Sequence, residues 1–290
     1  MTEGGYEILP PQFSLITSTL NRTRQLENFL QHLDRQTWRN FEYIIVDQND
    51  DDRLVPIINK YRENFAIMHI HSAKGVSRGR NTGIKVISGD FVAFPDDDCW
   101  YEDDLLERAT DLFIKHPDID MISGRTIDAK GQTSLGKFDK HPGKITKRNV
   151  FKRGNTNTFF FRRAVVEKIA FDESIGVGAG SKWGSGEETD YLLQALAAGF
   201  KLYYCPDFTV YHEEPLAQYN DAAIQRGYSY ALGMGRVMKK HHYSLDFVLV
   251  KLFYQMGGML IALARMDIQR FKYHRAVFKG RYEGWKEPCQ

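Results

Sequence analysis

The chain has 290 residues, which suffices for one large α/β domain or for one domain with an appendage. Hydrophobic residues make up 42% of the sequence, which excludes a chain that is disordered along most of its length. The formal net charge is only +2, but residues 226–290 carry twelve Lys and Arg against four Asp and Glu, so the remainder is acidic. This asymmetry predicts two parts with different tasks, 1–225 and a basic extension at 226–290.

Short apolar runs alternate with helical patterns between residues 13 and 116. Strands are predicted at 13–17, 41–46, 66–71 and 90–94, and helices at 21–36, 54–65, 77–88 and 105–116. This alternation predicts an α/β fold, with a Rossmann-like, mostly parallel central sheet and helices on both faces. Ligands of such sheets bind beyond the carboxyl ends of the strands. Asp47 and Asp96–Asp98 follow two of the predicted strands.

The pattern is less regular beyond residue 120. The predicted elements are a strand at 121–126, a long polar loop at 128–149, a strand at 156–161, a helix at 164–169, a glycine-rich loop at 176–186, a helix at 187–199, and short strands at 201–204 and 208–211. After residue 225 the chain is predicted to be helical, basic and aromatic. Its apolar run at 247–264 is interrupted by Lys251 and Gln255.

The triplet Asp96-Asp97-Asp98 is the first candidate for chemistry. Adjacent carboxylates repel each other unless a cation lies among them. Oxygen ligands suit Mg²⁺ or Mn²⁺, and these ions also bind phosphate oxygens. The alternative is that Asp98 caps the helix that follows.

Three isolated residues each have a functional and an ordinary interpretation. Asp47 either accepts a hydrogen bond from a nucleobase or is a turn acid. Arg80, near a predicted helix N-terminus, either binds a diphosphate or is a solvated basic residue. His212, after a short strand, is either a further metal ligand or a histidine without a ligand role.

The glycine-rich loop and the helix after it offer the acid-base candidates. Glu187, Glu188 and Asp190 open this helix, so they are either general-base candidates or acids that compensate the helix dipole. Trp183 within the loop either stacks on a sugar ring or anchors the loop in the core.

The order of these segments resembles the family 2 glycosyltransferases with the GT-A fold, especially those of bacterial polysaccharide assembly. Residues 14–22 are similar to the family's opening strand and PTYNR turn, with Ser18 in place of proline. Residues 43–47 resemble its base-binding strand, although Gln48 starts a segment that lacks the usual DGS. Residues 75–83 are similar to GxSxARNxG, with Gly79 where alanine is common. The remaining matches are residues 89–98 with the strand before the DXD motif, 155–157 with the GN segment, 186–190 with GEDxD, and 210–212 with the late histidine.

The resemblance implies a role for each candidate. The residues expected to bind the donor are Thr19, Asn21, Asp47, Arg80, Asp96 and Asp97. The residues expected to bind the metal ion, Mn²⁺ or Mg²⁺, are Asp98, Asp96 and His212. Glu188 is expected to be the catalytic base, with Asp190 as the alternative. The residues expected to bind the acceptor are Trp183, Asn157 and Glu187.

The implied reaction is an inverting, metal-dependent transfer of the hexosyltransferase type. The donor is a nucleotide-sugar, expected to be a UDP-sugar, and the acceptor is a hydroxyl of a glycan or a lipid-linked glycan. No nucleic-acid partner is expected. Three rival classes are a nucleotidyltransferase, which would need glycine in 17–23, an aspartate-nucleophile phosphohydrolase, and a non-catalytic sugar- or nucleotide-binding module.

The expected location is the cytoplasm, on the cytoplasmic face of the inner membrane. Met1–Gln12 lack the pattern of a signal peptide, and three widely spaced cysteines (Cys99, Cys205 and Cys289) indicate a reducing compartment. The apolar run at 247–264 has three interpretations: a helix in the membrane interface, a core or homodimer helix, or a true span.

Overall fold

A computed structural model describes residues 12–213 and 219–288. The signal-peptide prediction concerned Met1–Gln12, and residues 1–11 of this segment lie outside the described residues. Cys289 also lies outside them. Cys99 is buried and Cys205 is partly buried, and both are free thiols.

Within the described residues, nine strands form one sheet. They are β1 (Phe13–Thr19), β2 (Phe41–Asp47), β3 (Ala66–His71), β4 (Phe91–Ala93), β5 (Cys99–Trp100), β6 (Met121–Ile127), β7 (Gly143–Lys144), β8 (Phe160–Arg162) and β9 (Leu202–His212). The strand order is β3-β2-β1-β4-β8-β6-β9-β5, and β7 also pairs with β9. The part from β3 to β4 is wholly parallel. The other part is mixed, since only β6 and β9 pair in parallel there.

The helices of the described residues flank this sheet and then form a C-terminal group. They are α1 (Thr23–Asp34), α2 (Val55–Tyr61), α3 (Val76–Ile84), α4 (Leu105–Lys115), α5 (Arg163–Lys168), α6 (Glu187–Ala197), α7 (Asp221–Lys240), α8 (Leu245–Ala264) and α9 (Ile268–Lys286). The predicted boundary after Gln225 falls within α7.

The core has two layers because neighbouring residues of a strand point to opposite faces. Ile16 and Ile44 pack in one layer with residues of α5 and α6. Leu15 and Ile45 pack in the other with residues of α1, α2 and α4. All four side chains are fully buried. Strands covered on both faces are largely apolar, and the apolar residues at 15–16 of β1 and 43–46 of β2 identified these strands.

Three predicted elements differ from the structure. The strand predicted at 156–161 is a 3₁₀ turn at Thr156–Thr158 followed by β8, because Asn155 and Thr158 cap each other's backbone N–H groups. The two strands predicted at 201–204 and 208–211 are the single strand β9, which continues through Pro206. Its partner β6 shifts register at Gly124, where a Cβ would lie 1.7 Å from the carbonyl oxygen of Phe208. The loop at 128–149 contains the short strand β7.

Candidate active site

A cavity of about 830 Å³ opens at the carboxyl ends of β1, β2 and β4. Its floor contains Arg22, Arg80, Asp96–Asp98 and His212, and Thr156 and Glu188 lie on one side. The C-terminal helices and the segment just before them also contribute to the lining, with Tyr219, Arg226, Tyr230 and Tyr273. The volume is that of a typical small-molecule site.

The two predicted loops, at 128–149 and 176–186, both reach this cavity. Leu135 of the 128–149 loop and Val177 and Gly178 of the glycine-rich loop line it. The glycine-rich loop contacts the start of α3, where Val76 N–H donates to the carbonyl oxygen of Val177 at 3.0 Å. The preceding residue, Gly75, has φ +127°, and a Cβ there would lie 3.2 Å from the carbonyl oxygen of Gly178. Glycine is therefore required at position 75 for both its conformation and its space.

Asp96 and Asp97 have different environments. Asp97 is 7% exposed and accepts a hydrogen bond from Thr19 Oγ1 at 2.6 Å. Burial raises the pKa of Asp97 to about 6, against the opposing effects of Thr19 and Arg22. Asp96 is more exposed, and its Oδ1 lies 3.1 Å from Arg80 Nη2.

Asp98 and His212 meet because β5 pairs with the end of β9. Cys99 lies opposite His212 in this antiparallel pair, and His212 Nε2 is 3.2 Å from Asp98 Oδ1. The other ring nitrogen, Nδ1, lies 2.6 Å from the carbonyl oxygen of Glu213. In the tautomer with the proton on Nδ1, that carbonyl accepts a hydrogen bond and the Nε2 lone pair points towards the carboxylate. Two such acceptors suit a divalent cation between them, and the pair therefore fits a Mn²⁺ or Mg²⁺ ligand set.

Two arginines supply positive charge to this floor. Arg22 contacts the carboxylates of Asp97 and Asp98. The Arg80 side chain is 5% exposed and bridges Asp96 to Glu187, whose Oε1 is 3.4 Å from Nη1. Both guanidinium groups line the cavity. A guanidinium group binds phosphate oxygens as well as carboxylates.

Glu188, next to Glu187 at the start of α6, is a candidate for proton transfer. It lines the cavity, and its Oε2 accepts from Thr156 N–H at 3.2 Å and from Thr156 Oγ1 at 3.1 Å. Burial and then the neighbouring charge of Glu187 raise the pKa of Glu188 to about 7. A base with a pKa close to the working pH is well suited to catalysis. Burial also raises the pKa of Glu187, although Arg80 opposes this change.

Asp190 lies away from the cavity, in a polar cluster that joins α6 to α7. Its carboxylate is fully buried and lies 2.7 Å from His241 Nε2 and 3.0 Å from Lys240 Nζ. Gln194 Nε2 donates to it at 2.8 Å. Burial alone would lower the pKa of Lys240, but Asp190 and Asp172 raise it above its ordinary value. The carboxylate thus has its oxygens occupied by the scaffold.

Replacing Asp190 by asparagine should lower the free energy of unfolding by about 3 kcal/mol, because Lys240 and His241 lose their buried counter-charge. Transfer by the folded variant should remain within a few-fold of the wild type. Chemical denaturation and an assay at saturating donor would measure the two effects. Loss of transfer at unchanged stability would contradict this assignment and would make Asp190 the base.

The structure places three predicted donor residues beneath or beside the cavity. Asp47 is fully buried, accepts from the backbone and side chain of Asn49, and lies 2.9 Å from His69 Nε2. Thr19 supports Asp97 from below. Asn21 has φ +60° and accepts from Arg53 Nη1 at 2.8 Å. The cavity-lining neighbour of Asp47 is Gln48.

Asp47 also belongs to a second group with metal-ligand spacing. Its carboxylate and the rings of His69 and His71 offer atoms that all lie within 4.8 Å of one another. However, Asp47 is fully buried, and none of these three residues lines the cavity. The Asp98–His212 pair is the better ligand set because it faces the cavity.

Two residues predicted to bind the acceptor do not line the cavity. Trp183 is 8% exposed and packs in the core, with Lys182 and Arg236 over its ring. This position corresponds to the loop-anchoring interpretation. Asn157 is 1% exposed, and its amide has no hydrogen-bond partner within the described part of the chain. Glu187, the third, lies in the cavity wall.

Several cavity residues were not predicted from the sequence. Arg22 ends the segment similar to PTYNR, and Gln48 follows Asp47, so motif position is a signal for both. Thr156 could be placed in the cavity only by knowing of the 3₁₀ turn that begins at this residue. The residues from the C-terminal part have no sequence signal, because only helix packing brings them to the cavity; they are Tyr219, Arg226, Tyr230 and Tyr273.

Comparisons with known proteins agree with this architecture. The family description "Glycosyl transferase family 2" matches residues 14–174. A PGL/p-HBAD biosynthesis glycosyltransferase of Mycobacterium bovis is 29% identical over 163 residues, which are 55% of this chain and 62% of the relative. Glycosyltransferase AglE of Haloferax volcanii is 26% identical over 206 residues, which are 68% of this chain and 65% of the relative. The matches thus span less than two thirds of these curated relatives' length.

Solved structures share the fold over nearly the whole chain. S. aureus TarS 1-349 superposes with a TM-score of 0.59 at 17% identity, covering 93% of this chain and 92% of TarS. Mannosyltransferase PcManGT from Pyrobaculum calidifontis, in complex with GDP-Man and Mn²⁺, superposes with a TM-score of 0.62 at 14% identity. The superposition covers 95% of this chain and 88% of PcManGT. The fold is therefore the predicted GT-A fold, with a helical C-terminal part. On this evidence, the chain belongs to glycosyl transferase family 2.

Proposed function

We propose that the protein transfers a sugar from a nucleoside-diphosphate sugar to an acceptor hydroxyl in glycan biosynthesis. The observation that carries this proposal is the arrangement of one cavity. It combines a cation site (Asp98 and His212), a phosphate-binding arginine (Arg80) and a carboxylate with a pKa of about 7 (Glu188). TarS has been crystallised with UDP-GlcNAc, which makes a UDP-sugar the first donor to test.

The donor end of the site is the floor of the cavity. Asp98, His212 and Asp96 would hold Mn²⁺ or Mg²⁺, which neutralises charge on the departing diphosphate when bound. Arg80 is buried beside Asp96, where it can exchange a carboxylate contact for a phosphate contact as the donor enters. Arg22 contacts Asp97 and Asp98, and its charge opposes the rise in the pKa of Asp97.

The acceptor end is the space between Glu188 and the C-terminal helices. Glu188 removes the proton of an acceptor hydroxyl, and that oxygen attacks the anomeric carbon from the side opposite the leaving nucleotide. Direct displacement inverts the anomeric centre. The Glu188 carboxylate that takes the proton is held by hydrogen bonds from the backbone N–H and the hydroxyl of Thr156. Tyr230 and Tyr273 offer aromatic faces to an acceptor sugar.

A cytoplasmic location and a two-part organisation belong to the same proposal. The sheet supplies the donor and cation residues, and the chain from Tyr219 onwards supplies one wall of the acceptor space. The free thiols of Cys99 and Cys205 are compatible with a reducing compartment.

The proposal is tested by thermal denaturation with a panel of nucleotide-sugars, each with Mn²⁺ and with a chelator. At least one nucleoside-diphosphate sugar should raise the melting temperature in the presence of Mn²⁺, by several degrees at a concentration about 100 times its dissociation constant. Slow release of free nucleotide from that compound would identify it as a donor. Absence of stabilisation by every member of the panel would contradict the proposal.

A further inference from the structure

The exposed side of α8 is unusual for the surface of a protein in water. Phe253, Leu260 and Leu263 are more than half exposed, and so are Val250 and Tyr254. Between Phe247 and Ala264 the only charged residue is Lys251, and it is partly buried over the rings of Phe151 and Phe247. An uninterrupted apolar strip of this kind marks a surface that another phase or molecule covers. We call this strip the α8 face.

The opposite side of α8 is packed on the protein along the whole helix. Val248, Leu252 and Ala262 are buried. Arg281 of α9 donates to the carbonyl oxygen of Lys251 at 2.8 Å, and a Cβ at Gly258 would lie 2.5 Å from the ring of His274. Among the described helices α8 is the one long and apolar enough to cross a membrane, with mean hydropathy 1.8. Because one side stays on α9, the geometry favours a helix that lies along a surface.

Basic residues surround the α8 face. Lys137 donates to Tyr254 Oη at 3.1 Å, and Lys147 donates to the carbonyl oxygen of His242 at 3.2 Å, just before the helix. Arg148 lies near Asp246 in the first turn, and the exposed Arg265 follows the last turn. Apolar side chains bordered by cations complement an anionic lipid surface. A second copy of the chain would instead bring the same cations towards each other.

We propose that the α8 face is a docking surface for the anionic headgroup and acyl boundary of a membrane, with α8 lying in the plane of the interface. The loop that holds Lys137 beside α8 also places Leu135 in the wall of the cavity. The same loop thus connects the α8 face to the cavity. This inference depends on the surface alone and not on the reaction in the cavity.

The experiment is co-sedimentation of the full chain with phosphatidylcholine vesicles, with and without phosphatidylglycerol. The wild type should bind the phosphatidylglycerol vesicles, and salt should weaken binding. The double substitution Phe253→Ser with Leu260→Ser should weaken binding at least about tenfold. The double substitution Arg148→Gln with Arg265→Gln should weaken binding and reduce its dependence on salt.

The matched control is on α4, where Ile114 is 70% exposed and Lys115 follows it. Ile114→Ser with Lys115→Gln should leave vesicle binding unchanged. All variants should keep the wild-type melting temperature, because every altered side chain is exposed. The proposal would be overturned by no binding of the wild type, by equal loss in the α4 control, or by a dimer in solution that Phe253→Ser with Leu260→Ser dissociates. Vesicle binding that resists high salt and alkaline extraction would overturn it in favour of a spanning helix.

Discussion

Substituting Glu188 with glutamine should reduce the rate of sugar transfer by about 10²–10⁴-fold, the usual contribution of a positioned general base. Glutamine has nearly the same shape and keeps an oxygen for the hydrogen bonds from Thr156. Donor binding should therefore be unchanged, and the loss should fall on the rate at saturating substrate. Single-turnover kinetics and calorimetric titration of the donor would measure the two quantities.

Asp190→Asn is the matched control for this variant because it alters an acid of the same helix outside the cavity. The expected pair of results is a stable but inactive Glu188→Gln protein and a destabilised but active Asp190→Asn protein. Removing a partly buried charge at Glu188 should leave the free energy of unfolding unchanged or slightly higher. A Glu188→Gln protein that transfers sugar at the wild-type rate would exclude Glu188 as the base.

The pH dependence of the wild-type rate should show the same carboxylate. A base acts when it is ionised, so a pKa of about 7 predicts a rate that is low in acid, rises through pH 7 and then levels off. The two hydrogen bonds from Thr156 stabilise the ionised form of Glu188 and hold its pKa down. Thr156→Val removes the hydroxyl bond and should therefore move the inflection to higher pH. An inflection that persists in Glu188→Gln would belong to another group.

Asp98→Asn should abolish metal-dependent binding of the donor, with an affinity loss of more than about 100-fold. Substituting a residue that only orients a metal ligand typically lowers metal affinity by ~10–100-fold, so substituting the ligand itself should lower it more. His212→Ala should have the same direction of effect, because its Nε2 faces the same carboxylate. Paramagnetic resonance of Mn²⁺ would report metal binding, and calorimetry with UDP would report donor binding.

Asp103→Asn is a suitable control for the cation site, because Asp103 is an exposed acid in the same stretch and forms a surface ion pair with Arg35. It should leave both measurements unchanged. UDP binding that is equally tight after chelation would show that the metal assignment is wrong. Loss of Mn²⁺ on His71→Ala instead would transfer the cation to the group formed by Asp47, His69 and His71.

The first half of the sheet could be predicted because its signals are local. The strands β1 and β2 are short, buried and rich in apolar residues, and each ends in polar residues that parallel pairing brings to one edge. The meeting of Asp98 with His212 was expected only through the resemblance. It depends on β5, which has two residues and no recognisable pattern.

Other features of the site could not be predicted because they depend on packing. Two residues along a helix point about 200° apart, which is why Glu188 faces the cavity while Asp190 faces α7. Sequence alone did not indicate which of the two would point inward. Similarly, no periodicity places Tyr273 of α9 in a cavity that opens at strand ends.

The wall formed by α7 and α9 has a consequence for engineering. These helices approach closely through glycines, since a Cβ at Gly284 would lie 2.1 Å from the carbonyl oxygen of Leu232. The two helices are therefore closely packed, and the contacts of Asp190 with Lys240 and His241 are among those that join them to α6. Exchanging residues 219–288 for those of another family member should change which hydroxyl compound is glycosylated, while the preference among nucleotides stays that of the recipient.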